Sequence, residues 1–202
     1  SDDTDARERL KIQAGSSYGY PQTVMGAHVS ACPNHQTGDS NPLETRFNIA
    51  CGGLLGYELD MSKLTEDEMK TVAAQIAFYK ENRKLLQFGD HYRLGDAFGG
   101  NMAGFMTVSK DKNTAIAVVS ASEYIICGPV PSISFKGLNP SAVYEVTTRE
   151  QVNYKNVLSF TAGGDLLMNA KLPLHDLYSD TQSWENSRRL YTRMFIFKKV
   201  KS

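Results

Sequence analysis

Three carboxylates fall within the first five residues, Asp2, Asp3 and Asp5 of the run SDDTD. Crowded carboxylates repel one another, and burial beside like charge raises a pKa, as a general acid working near neutral pH requires. The same residues also carry a plainer reading. Helix-forming sequence follows over 6–14, Thr4 or Asp5 is placed to cap it, Glu8 to close a capping box on Asp5, and Gly15 to end it. All three acids then simply favour the positive end of the helix dipole. On these residues alone both readings stay open.

A second set of reactive types sits in the stretch 25–53, MGAHVSACPNHQTGDSNPLETRFNIACGG. His28, Cys32 and His35 stand four and three residues apart. That spacing admits a metal, but no fourth ligand follows at a recognisable distance, so neither a metal nor a cofactor is expected. The stretch is too polar and punctuated for a buried strand and lacks a helical period, so it reads as an ordered loop beside a site. Val29, Leu43, Phe47 and Ile49 would anchor it, with Glu44 and Arg46 pinning it by hydrogen bonds and ion pairs.

The whole chain sets limits on what such groups can serve. It has 202 residues, 41% hydrophobic and 22% charged, the balance of an ordinary globular protein. Lysine and arginine match aspartate and glutamate at 22 each, which argues against a nucleic-acid-binding face. No apolar run approaches the roughly 18 residues of a membrane span. Three cysteines and no recognisable signal peptide point to a reducing, cytoplasmic location, where a Cys32–Cys51 disulfide is not expected. The chain opens on Ser-Asp-Asp without an initiator methionine and runs straight into a helix, as if entered mid-domain.

The elements that must position these groups change character along the chain. Thr65 and Glu68 form a capping box, Leu64 and Met69 a hydrophobic staple, and Gly89 a stop. Between them Met69, Val72, Ala73, Ile76, Tyr79 and Leu86 share one face of a core-facing helix of about 24 residues. After Asp90, turn residues separate short runs rich in Val, Ile, Phe, Tyr and Thr: 102–109, 115–121, 132–135, 143–147, 157–160 and 191–200. Such runs predict antiparallel strands in a small sandwich, with turns at 111–113 and at Asn139-Pro140. In the last run Met194 and Ile196 alternate with Phe195 and Phe197, so both faces are apolar. The residues alone thus predict the end of an α/β domain followed by an all-β domain, with the boundary near residue 90.

Four segments carry a more specific signal: SDDTDARERLKIQ, MGAHVSACPNHQTG, PLETRFNIACGGLLGYELD and IAFYKENRKLLQFGDHYRL. Together they resemble the α-galactosidases (melibiases) of glycoside hydrolase family 36, densely over about the first 95 residues. GDLLMNAKLPL extends the likeness more weakly into the second half. The resemblance implies that residues 1–90 are the last part of a (β/α)8 catalytic barrel and residues 91–202 a small antiparallel β-sandwich C-terminal domain. It implies a retaining enzyme acting on terminal α-galactosyl residues of melibiose- or raffinose-type sugars, with two carboxylates about 5–5.5 Å apart. It places the acid/base at Asp3, with Asp2 as the fallback, and leaves His28 and Arg46 as the candidates for substrate contact. It also implies a homo-oligomer in the intact enzyme, and it makes the rest of the full-length polypeptide a partner of this chain.

The nucleophile of the family sits in a Lys-Trp-Asp motif well before SDDTD. The single tryptophan here, Trp184, stands in QSWENS. The nucleophile is therefore expected to be missing from this chain, which should be inactive alone. Asp39 follows NHQTG where the family often has arginine, and Ala14 stands where a larger residue is common. The competing expectation is a non-catalytic carbohydrate-binding or structural β-sandwich module, with Tyr154, Tyr178 or Trp184 as an aromatic platform.

Overall fold

A computed structural model describes residues 3–122, 128–150, 157–174, 177 and 190–201. The chain divides into two units, Ser1–Phe88 and Gly89–Ser202.

The first unit contains α1 (Ala6–Ser16), β1 (Gly26–Ser30), α2 (Leu43–Ala50), β2 (Leu54–Glu58) and α3 (Glu66–Phe88). β1 and β2 pair in parallel, from Gly26 opposite Leu54 to Ser30 opposite Glu58. Parallel neighbours need a crossover, and α2 supplies it. The stretch expected to be one loop thus holds a strand and a helix. Both escaped notice for physical reasons. β1 is five residues long, and Ala27 and Val29 alternate with an exposed Gly26 and a half-buried His28. In α2 every residue is buried, Glu44, Thr45, Arg46 and Asn48 included, so no polar face marks a helical period.

α1 begins at Asp5, whose side chain accepts the N–H groups of Arg7 and Glu8. Two details differ from expectation. Glu8 does not close a capping box, because its carboxylate pairs with Lys11 at 3.0 Å while the Asp5 N–H goes to Asp3. Gly15 lies inside the helix, which runs on to Ser16. At α3 the predicted capping box is present in both directions. The Thr65 N–H donates to Glu68 at 2.9 Å, and the Glu68 N–H donates to the Thr65 hydroxyl at 3.2 Å. The buried face of α3 is Val72, Gln75, Tyr79 and Leu86. Gln75 takes a central place because it is satisfied: it accepts from the Tyr57 hydroxyl (2.9 Å) and donates to Glu44 (3.1 Å). The Tyr79 hydroxyl donates to the Gly53 carbonyl at 2.7 Å and accepts the Leu55 N–H, tying α3 to the start of β2.

The second unit is built on a six-stranded antiparallel sheet. Its strands are β3 (Asp90–Gly95), β4 (Met102–Val108), β5 (Thr114–Ala121), β7 (Val143–Thr148), β8 (Ser159–Gly163) and β10 (Tyr191–Lys201). Their order is β3-β4-β5-β10-β7-β8. A separate pair joins β6 (Ser132–Ile133) to β9 (Leu172–Pro173), and a short helix, α4 (Gly164–Asn169), follows β8. The expected change from α/β to antiparallel β is therefore present. One face of the large sheet carries Met106, Ala117, Phe195, Phe197 and Tyr144 into a core with Phe135, Leu138 and Leu167. Met194, on the opposite face, is buried as well, as the alternation predicted. The turn at 111–113 forms around Asp111, which accepts the Asn113 N–H at 3.0 Å, with Lys112 at φ 57°. The Tyr144 hydroxyl donates to the Lys112 carbonyl (2.7 Å) and accepts the Asn139 N–H (3.0 Å), fastening both predicted turns to the core.

Candidate active site

Asp3 is half-buried just before α1, with its Oδ1 accepting the Asp5 N–H at 2.9 Å. Asp2, Tyr154, Tyr178 and Trp184 lie outside the described residues. Asp5 is 2% exposed and is spent on structure: it caps α1 with one oxygen and takes the Thr37 hydroxyl on the other at 3.1 Å. Of the two readings of the acidic run, the capping one holds for Asp5.

The PNHQTG turn grips this segment, and its spelling explains how. Asn34, 4% exposed, accepts the N–H groups of Gln36 and Thr37 at 2.8 and 3.1 Å, folding the turn on itself. Gly38 closes it at φ 76°, a conformation that favours glycine. The folded turn then reaches back some thirty residues in sequence. Gln36 accepts the Thr4 N–H at 3.0 Å, and Asn34 Nδ2 donates to the Thr4 hydroxyl at 3.1 Å. Asp39 contributes its main chain: its carbonyl accepts the Asn34 N–H at 2.9 Å.

From the other side the segment is held by Arg9, a residue that sequence reasoning passed over. Arg9 is 1% exposed. Its Nη1 donates to the Asp3 carbonyl at 3.0 Å, its Nη2 to the Gly26 carbonyl, and its Nε to Gln13 at 3.4 Å. Gln13 in turn donates to the Ile49 carbonyl at 2.9 Å. Burial lowers the Arg9 pKa, and the charges of Asp3 and Glu58 partly oppose that. Asp5, Arg9 and Gln13 recur every four residues along one face of α1, the signal that could have revealed this polar, buried stripe.

His28 and Arg46 occupy different surroundings. His28 lies on β1 opposite Gly56, and a Cβ at Gly56 would come within 2.5 Å of the imidazole. The glycine therefore makes room for the ring. His28 Nδ1 stands 3.5 Å from Glu58, with side chains 40% and 60% exposed, a geometry worth little to stability. Arg46 is buried, and its guanidinium donates to the Ser30 carbonyl and, at 3.0 Å, to the Asn41 carbonyl. Burial lowers its pKa against the opposing charges of Cys32, Glu68 and Tyr57. Arg46 thus pins the chain after β1.

Cys32 is exposed and Cys51 buried, both as free thiols. Among the described residues no group of three metal-ligating side chains comes together. A cleft of about 370 Å³ is lined by Arg9, Gln13, Tyr20 and Met25 among others, with no carboxylate among the described residues of its wall.

A family model described as melibiase matches residues 1–89, and one described as the glycosyl hydrolase family 36 C-terminal domain matches residues 102–185. The chain is 47% identical over 146 residues to α-galactosidase AgaA of Geobacillus stearothermophilus, a match covering 72% of this chain and 20% of that protein. It is 40% identical over 172 residues to α-galactosidase Mel36A of Lactobacillus acidophilus, covering 84% of this chain and 22% of that protein. The crystal structure of AgaA superposes with a TM-score of 0.84 at 40% identity, over 99% of this chain and 25% of that one. Variants of AgaA have been solved in complex with raffinose and with stachyose. The chain thus spans between a fifth and a quarter of the length of these relatives.

Proposed function

This chain belongs to glycoside hydrolase family 36, and we propose that it is the C-terminal part of a retaining α-galactosidase whose acid/base is Asp3. The observation that carries this reading is the superposition of 99% of the chain on an α-galactosidase at a TM-score of 0.84. In this reading the first unit ends a (β/α)8 barrel, and the parallel pair β1/β2 with its crossover α2 is one repeat of it. The antiparallel second unit is the C-terminal sandwich. The acid-bearing segment is held by the turn that follows the C-terminal end of β1, the end at which barrel enzymes keep their chemistry.

Asp3 protonates the departing sugar oxygen and then takes a proton from the water that hydrolyses the galactosyl-enzyme. The nucleophile comes from a Lys-Trp-Asp motif in an earlier part of the full-length polypeptide. His28 remains a candidate for substrate contact, because its ring is partly exposed beside Gly56. Arg46 is assigned to support, since its donors are committed to main-chain carbonyls. The AgaA complexes with raffinose and stachyose favour α-galactosyl oligosaccharides as substrates. The intact enzyme is read as a cytoplasmic homo-oligomer.

The test is Asp3→Asn beside Asp2→Asn in the full-length enzyme, assayed on an aryl α-galactoside. Asp3→Asn is expected to lower turnover by about 10²–10⁴-fold, with Asp2→Asn milder. The reverse order moves the acid/base to Asp2, and indifference to both removes the assignment.

A further inference from the structure

We infer that Arg9 is a positioning residue for the acid/base, holding the Asp3 main chain so that its carboxylate meets the leaving oxygen; this rests on the proposed role of Asp3. Burying a guanidinium is costly unless its donors are used. Arg9 is 1% exposed, and among the described residues its fork goes to no carboxylate. It bridges two main-chain carbonyls, those of Asp3 and of Gly26 at the start of β1. The residue bearing the acid is thereby tied to the strand beside it.

The other restraints converge on the same place. The Asp5 N–H holds Asp3 Oδ1 at 2.9 Å, and Gln36 holds the Thr4 N–H at 3.0 Å. Arg9 fixes the carbonyl that lies between those two contacts. The Asp3–Thr4 peptide is thus held at its carbonyl by Arg9 and at its N–H by Gln36, while the Asp5 N–H restrains the Asp3 carboxylate itself. A general acid must be held within a fraction of an ångström of its productive place. Lysine cannot span two carbonyls with a planar fork, so Arg9→Lys keeps the charge and loses the bridge.

The experiment uses the full-length enzyme and two substrate types, α-galactosides with activated (dinitrophenyl) and with unactivated (alkyl or sugar) leaving groups. An activated leaving group departs with little help from an acid, whereas an unactivated one needs it. Arg9→Lys is expected to lower kcat/KM on unactivated substrates at least about tenfold, while changing it less than about twofold on activated ones. On activated substrates kcat and KM should fall together, because the galactosyl-enzyme waits for its base. Azide, which needs no base, should restore kcat. A merely structural role would lower kcat/KM equally on both substrates without azide rescue, and that result overturns the inference, as does no loss at all. If Arg9→Lys fails to fold, Arg9→Gln, which drops the charge and can reach only one of the two carbonyls, is put to the same leaving-group contrast, with the same outcomes for and against. Failure of the underlying reading looks different: the unmodified enzyme then turns over no α-galactoside, or Asp3→Asn leaves both substrates unaffected.

Discussion

His91 shows how one residue in the second unit sets a pH limit. It lies on β3 opposite Thr107 and stacks on Phe105, with ring centroids 5.9 Å apart. Burial first, and the charge of Arg93 second, lower its pKa from 6.5 to about 4. Between these values the unfolded chain binds a proton that the folded chain does not. Stability is therefore intact above about pH 6.5 and falls as pH drops toward 4, by on the order of 2–3 kcal/mol for this group. His91→Phe should flatten that slope, read as the difference in unfolding midpoint between about pH 7 and about pH 5. An unchanged difference would show that other groups set the acid limit. At the same scale, Asp5 and Asp3 look alike in the sequence yet separate in the fold. Asp5 has both oxygens committed, to the helix and to Thr37, whereas Asp3 stands at the junction itself.

Among the elements, α3 and the PNHQTG turn give sharp expectations. Thr65→Ala removes the hydroxyl leg of an exposed capping box and leaves the main-chain N–H of residue 65 on Glu68; it should cost about 1 kcal/mol, measured by denaturant unfolding. Gly38→Ala places a side chain at φ 76° and should cost about 1–2 kcal/mol. Because this turn grips Thr4 and Asp5, the same change should also depress activity of the full-length enzyme more than Thr65→Ala does. Equal effects would mean that the turn merely adds stability. The contrast also explains what was legible. The cap of α3, the turn at 111–113 and most strands of the second unit announce themselves through local chemistry. α2 does not, because a helix buried all round carries no period. β3 went unforeseen because Asp90, His91, Tyr92 and Arg93 are mostly polar and only half-buried. In the site, the acidic run was readable as a motif. Arg9 was missed: its four-residue spacing from Asp5 and Gln13 hinted at a shared face, but only the carbonyl partners show that the face is buried.

For the molecule as a whole, the expected outcome is that this 202-residue chain alone does not turn over an aryl α-galactoside. A retaining mechanism needs a second carboxylate about 5–5.5 Å from the first, and the Lys-Trp-Asp motif proposed above to supply it is not in this sequence. Robust hydrolysis by the purified chain would sink that expectation and, with it, the division of labour proposed for Asp3.

The strand order of the large sheet also imposes a schedule. β10 lies between β5 and β7, so Tyr191 pairs with Ala121, and Phe195 pairs with both Ala117 and Thr148. As the polypeptide leaves the ribosome, β3, β4 and β5 can join at once, and β7 can join β8, but the two groups have no common partner until β10 follows. Until then β5 and β7 each present a bare edge rich in apolar side chains, the kind of surface that recruits other chains. A stop codon between 174 and 190 would make that interval permanent, and its product should be captured by chaperones or precipitate.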